Sequence, residues 1–198
     1  MRLFNSSNRL CLFRQFCLCA LLALGCASCA KQTGGKVVAP DIPIVQHKMA
    51  FPNPVVVNAA IVPFQDMRAE ADASSGSSVT VPVGDVGNVV ARAAEQAFAK
   101  RGMKLEGSSS QAEIRGQITE WNATVEGGAL PVLGSTAALR IEVLNPKGDT
   151  VYTGTYQGTR SSEFPVISES DIRRSLGIAM AEAVEKMADD SRLTQALQ

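Results

Sequence analysis

Ala112-Glu113-Ile114-Arg115-Gly116-Gln117-Ile118-Thr119-Glu120-Trp121-Asn122-Ala123-Thr124-Val125 is the stretch on which the fold turns. Ile114, Gly116 and Ile118 share one parity, whereas Trp121, Ala123 and Val125 share the other. Side chains on a strand alternate between its two faces, so a strand cannot change parity without one extra residue. The reading is a long strand with a β-bulge near Glu120. Trp121, just past the bulge, reads as a core residue, with an aromatic contact residue as the alternative.

The neighbouring segments extend this strand into a sheet. Gly127-Gly128-Ala129-Leu130-Pro131 turns the chain. Ala137, Leu139, Ile141 and Val143 then alternate with Thr136, Arg140 and Glu142, the pattern of an antiparallel strand with one wet face. Asn145-Pro146-Lys147-Gly148-Asp149 has turn residues in suitable places, and Thr150 to Ser161 is a Thr- and Tyr-rich strand. Upstream, Val55 to Phe64 is almost continuously apolar and reads as one strand covered on both faces, with Pro63 at its end or at an unpaired position. Met103 and Leu105 suit a short strand. Ala69 to Ser78 reads as a serine-rich loop, and residues 107–110 as another.

Two helices flank the strands. Asp85 is placed as an N-cap before Val86, Val89, Val90, Ala93, Ala97 and Phe98, which recur on one helical face; Asn88, Arg92, Gln96 and Lys100 lie opposite. Lys100 and Arg101 fall in the last turn, where the helix dipole favours cations, and Gly102 stops the helix. After Phe164-Pro165, Ser168 or Ser170 caps a second helix buried along Ile172, Leu176, Ala179, Met180, Ala183 and Met187. Arg173, Glu182, Glu185 and Lys186 face water, and Leu193 and Leu197 dock the tail. Strands in a run, with one helix before and one after, give an α+β class. The expected architecture is a mostly antiparallel four- to five-stranded sheet with two helices packed on one face.

The N-terminus decides where this domain works. Arg2, Arg9 and Arg14 form a positive region ahead of the apolar run Phe16 to Leu24, which is too short to span a bilayer. Leu21-Leu22-Ala23-Leu24-Gly25-Cys26 resembles a bacterial lipobox. That resemblance implies cleavage between Gly25 and Cys26, diacylglycerol on the Cys26 thiol, and an acyl chain such as palmitate on the new amine. The organisation is then a signal peptide over 1–25, a lipidated cysteine and flexible Pro/Gly tether over 26–54, and a single periplasmic domain over 55–198. Pro40-Asp41-Ile42-Pro43-Ile44-Val45, inside the tether, is the part that would suit a contact.

Chemistry-bearing patterns are few. The 19 basic residues, less those three signal arginines, leave 16 against 19 acids, with no basic run to suggest nucleic acid. His47 falls in the tether and no cysteine falls within 55–198, which removes His- and Cys-based triads and metal cages. Glu113, Glu120, Glu126 and Glu142 lie on strands at no spacing that specifies an acid–base couple. No cofactor, metal or catalytic residue is expected.

The order of parts, with Asp66-x-Arg68 closing a strand, Val89 to Gly102 leading into Met103, and Met187-Ala188-Asp189-Asp190-Ser191-Arg192-Leu193 at the end, resembles the YajG-like family of bacterial lipoproteins. The resemblance covers about residues 55–197. It implies an outer-membrane lipoprotein and carries over no catalytic residue; Ala27 after Cys26, by resemblance to the enteric sorting rule, implies the same membrane. The expected function is non-enzymatic: a lipid-anchored domain on the periplasmic face that binds an envelope protein or component. Arg140, Glu142, Tyr152 and Tyr156, or a free sheet edge, would be the contact surface. The alternative is a lipid or glycan carrier, or an accessory protein of envelope transport, with an apolar groove between sheet and helices.

Overall fold

The structure is a computed structural model that describes residues 40–44, 55–68, 78–80, 85–107 and 112–198. The signal segment, Gly25, Cys26, His47 and most of both serine-rich loops lie outside the described residues. All described residues fall in one compact unit, Gly35–Gln198.

In chain order the described elements are β1 (Val55–Val57), β2 (Ala59–Ile61), β3 (Gln65–Asp66), β4 (Ser78–Thr80), α1 (Val86–Lys100), β5 (Met103–Leu105), β6 (Ala112–Glu126), β7 (Val132–Leu144), β8 (Thr150–Glu163), α2 (Glu169–Asp189) and α3 (Ser191–Ala196). β6, β7 and β8 form an antiparallel meander. Along the other edge of β6 run β2 and β3, both parallel to it, and then β4, antiparallel. β1 pairs with β5 in a separate parallel ribbon. The class is α+β, as the sequence pattern requires, and the register of β6 against β7 slips between Ile118 and Glu120, where the parity switch places the bulge.

The single strand expected over Val55 to Phe64 is instead three short ones. At Asn58 the chain leaves the β5 ribbon for β6, its carbonyl accepting the Ala112 N–H at 3.1 Å. Pro63, which has no N–H to give, separates β2 from β3. Phe64 then turns its N–H to the Gly87 carbonyl at the start of α1 (3.2 Å), away from the sheet. Serine-rich sequence also yields a strand where a loop is expected: Ser78 lies in β4, paired with Thr124 of β6.

Both long helices cover one face of the sheet. Ile114, Ile118, Trp121, Leu139, Ile141 and Val143 point from the strands into the layer filled by Val90, Phe98, Leu176, Met180 and Met187. Each large side chain so buried contributes about 1.5–3 kcal/mol. Between β6–β8 and the two helices this layer is filled by core side chains, and an open cavity of about 350 Å³ lies instead between β2, β5 and α1, lined by Ala59, Ile61, Ala99, Met103 and Leu105. On α1, Val89 is exposed, a correction to its place on the buried face: at 100° per residue it lies well round from the Val90–Ala94–Ala97 stripe. Arg101 falls on that stripe and is buried. On α2 the buried face is as read, and Ser168 forms a capping box with Asp171, each accepting from the other's backbone N–H.

The tether reading also changes. Residues 40–44 lie along the helices, with Ile42 and Ile44 packed against the core and the Ile44 carbonyl accepting from Lys100 Nζ. Gly177 makes the seat, because a Cβ there would collide with the Asp41 carbonyl oxygen.

Candidate functional site

With both long helices on one face, no described element covers the other face of β6–β8. Cross-strand rows on it read Arg115–Glu142–Thr153, Gln117–Arg140–Thr155 and Asn122–Thr136–Thr159. Pleating sets these residues outward, because their chain neighbours Ile114, Gly116, Ile141, Val143 and Tyr156 are turned to the helices. Arg140 reaches Glu142 at 3.1 Å, and Arg115 reaches Glu113 at 2.7 Å, each pair two residues apart on one strand. Such exposed pairs hold side chains in place while adding about 0–1 kcal/mol. The result is a polar face of threonines and paired charges.

The sequence-predicted contact residues do not form one surface. Arg140 and Glu142 are on the open face; Tyr152 and Tyr156 are on the helix side of β8, opposite Val143 and Leu139. Tyr156 is only 8% exposed. The alternation that sends Arg140 outward sends its partner Thr155 outward too, and therefore turns Tyr156 inward. The free-edge expectation is also narrowed. Along β8, Glu182 accepts the Thr159 N–H at 3.0 Å and Lys186 donates to the Gln157 carbonyl at 2.9 Å, so α2 closes the middle of that edge.

Inside, the two tyrosines build a cluster around Asp190. Tyr152 Oη donates to Asp190 Oδ2 at 2.7 Å, Tyr156 Oη lies 3.1 Å from the same oxygen, and the two hydroxyls are 2.6 Å apart. Gly154 leaves room for both, since a Cβ there would sit 2.9 Å from the Tyr156 hydroxyl. Asp190 also caps α3 through the Arg192 N–H at 2.8 Å and pairs with the Arg192 guanidinium at 3.3 Å. Burial alone would raise the Asp190 carboxyl, but the donors of Tyr152, Arg192 and Tyr156 outweigh it and hold it well below the usual carboxylate range. Burial, then the neighbouring hydroxyl and carboxylate, push the Tyr156 phenol far upward. A carboxylate so stabilised and phenols so hard to ionise make a pin for the C-terminal helix rather than an acid–base pair at neutral pH.

Two further groups escaped sequence reasoning. Arg101, 2% exposed, donates from Nε to Asp189 and from its terminal nitrogens to the carbonyls of Ala97 (3.4 Å) and Glu185 (3.0 Å), joining α1 to α2. Adjacent Asp189 and Asp190 thus fasten the end of α2 to two different elements. Asp66 accepts from Arg68 Nε at 2.7 Å, which with its other bonds to Arg68 holds its carboxyl below the usual range despite burial. The Arg68 guanidinium lies 6.0 Å from the centre of the Trp121 ring, whose Nε1 donates to the Leu176 carbonyl at 3.0 Å. Trp121 is therefore core. Among the described residues, no group of His, Cys, Asp and Glu is placed to hold a metal, and no helix is long and apolar enough to cross a membrane.

Among solved structures the chain is similar to protein XCC0632 from Xanthomonas campestris at 12% identity and a TM-score of 0.54, covering 77% of this chain and 92% of that one. At that identity the likeness speaks to the fold alone. Similar at lower TM-scores are the PelC dodecamer from Paraburkholderia phytofirmans (16% identity, 0.39, covering 75% and 92%) and a minor lipoprotein from Acinetobacter baumannii (8%, 0.39, covering 71% and 93%). No curated protein sequence matches. A family model described as uncharacterized lipoprotein, Lipoprotein_16, matches residues 67–198, in agreement with the resemblance to YajG-like lipoproteins. The chain belongs to this Lipoprotein_16 family of uncharacterized lipoproteins.

Proposed function

We propose that this lipoprotein is held by lipid on Cys26 at the periplasmic face of the outer membrane, and that it binds an envelope protein or envelope component without catalysing a reaction. The observation that carries this reading is the face of β6–β8, three strands of 13–15 residues, that none of the described helices covers. Polar and held by in-strand ion pairs, such a face suits a partner that brings complementary hydrogen-bonding groups. Arg140 and Glu142 stay in the proposed surface; Thr153 and Thr155 replace the two tyrosines.

Acyl chains contribute roughly 0.8 kcal/mol per buried CH₂, so a multiply acylated cysteine gives lasting residence. Residence on one membrane also raises the domain's effective concentration toward membrane-bound partners. The test is crosslinking of cells carrying Arg140→Glu together with Thr155→Arg. Capture of partners should be lost while the unfolding midpoint stays near wild type, because exposed substitutions usually shift stability by under about 0.5 kcal/mol. Capture at wild-type level would contradict this surface.

A further inference from the structure

We propose that the end of the domain carrying Leu130 and Val166 is a second contact surface, and that its partner is the lipid bilayer in which the protein is anchored. This inference rests on the reading of Cys26 as the lipid site. The turn from β6 to β7 and the connection from β8 to α2 lie together at one end of the sheet, joined by the Phe164 N–H and the Pro131 carbonyl at 3.0 Å. Their tips are apolar and face outward: Leu130 is 52% exposed and Val166 79%. Val166 is the most exposed of the large apolar residues described, and Phe164 beneath it is packed against the core.

The path of the chain says what this end faces. The docked segment 40–44 has Asp41 on Gly177, in the first half of α2, and Ile44 on Lys100, at the end of α1. That end of α1 lies beside Glu185 and Asp189, near the end of α2. The segment therefore runs along α2 from its N-terminal half toward its C-terminus, and Pro40 is nearest the end bearing Leu130 and Val166. Only residues 27–39 separate Pro40 from Cys26, a contour of no more than roughly 50 Å. The docked segment therefore turns its N-terminal end, from which the sequence leads back to Cys26, toward the end bearing the apolar tips.

Charges at this end come to three basic residues against four acidic ones. Arg173 pairs with Glu169, Asp171 accepts from Ser168 with Arg174 nearby, and Arg160, Glu126 and Glu163 complete the set, so there is no excess of positive charge. The contact is thus apolar in character and needs no anionic lipid. Two such side chains are too few to hold a domain on a membrane alone, so they act only on a domain already tethered there.

The test uses the full acylated chain, reconstituted into phosphatidylcholine vesicles with brominated acyl chains, which quench indole at the membrane. Trp121 is the sole tryptophan and is buried, so it gives a constant background. A tryptophan introduced by Val166→Trp should be strongly quenched, with little change between low and high salt, and one introduced by Thr155→Trp on the open sheet face should not. Equal quenching of the two, or none at Val166→Trp on protein that floats with the vesicles, overturns the proposal and leaves the anchor intact. The anchor is tested separately by Cys26→Ala: a variant that still floats, with Val166→Trp still quenched, would refute Cys26 as the anchor yet support the apolar tip.

Discussion

Gly177 of α2 and Asp41 are in contact at a point where no side chain fits, for a Cβ on residue 177 would overlap the Asp41 carbonyl oxygen. A segment whose prolines mark it as a tether is, over residues 40–44, part of the folded domain. Gly177→Val should unseat it. Ile42 and Ile44 then lose their packing, and we expect destabilisation of about 1–3 kcal/mol. Isoleucine methyl spectra would follow it directly: the Ile42 and Ile44 signals should move to random-coil positions while those of Ile118 and Ile141 stay put. Unmoved Ile42 and Ile44 signals would contradict the seat.

The tyrosine pin predicts a pH dependence with a definite sign. The folded Asp190 carboxyl ionises below its ordinary value near 4, so its contribution to stability is complete above about pH 4 and is lost as the pH falls toward the folded value. Between about pH 5 and pH 3 the wild type should lose more of its melting temperature than Asp190→Asn does. Equal losses would show that the carboxylate is not held as described. Asp66, Asp171 and Glu182, also lowered, titrate in both proteins and cancel in the comparison.

Tyr156→Phe keeps the ring in the core and removes a hydroxyl that lies within hydrogen-bonding distance of Tyr152 and Asp190. We expect a cost of about 1–2 kcal/mol in chemical denaturation, with crosslinked partners unchanged. Loss of partner capture without loss of stability would return Tyr156 to the contact surface.

Arg101→Lys should destabilise although the charge is kept. The guanidinium fork serves Asp189 and the carbonyls of Ala97 and Glu185 together, and a single ammonium cannot reproduce that geometry. The expected cost is about 1–3 kcal/mol by denaturant titration, since the buried Ala97 and part-buried Glu185 carbonyls lose a charged donor. A neutral result would mean that the helices do not depend on this clasp.

What was legible in the sequence followed from local periodicity. The parity switch between Ile118 and Trp121 requires a bulge wherever the strand ends up, and Ser168 with Asp171 spells its own cap. The buried faces of both helices follow from 3.6-residue spacing, and that spacing also held the missed signal for Arg101, which lies four residues after Ala97 on the buried stripe. The remaining features depend on contacts distant in sequence. Asn58 changes strands because Ala112 presents an N–H to it, 54 positions later. Tyr152 and Tyr156 look like surface aromatics in a threonine-rich strand until register with Leu139 and Val143 turns them inward. Asp189 and Asp190 look like a solvated acidic pair, and only the fold gives each a separate buried partner.

The proposed function places the partner on the face of β6–β8 opposite the helices. The most direct measurement is in-cell photocrosslinking with a photoreactive residue placed in turn at Thr136, Thr153 and Thr155 on that face, and at Arg92 and Gln96 on the exposed side of α1. Contact through the sheet face gives discrete adducts from the three sheet positions and none from the helix. Adducts confined to Arg92 and Gln96 would contradict it.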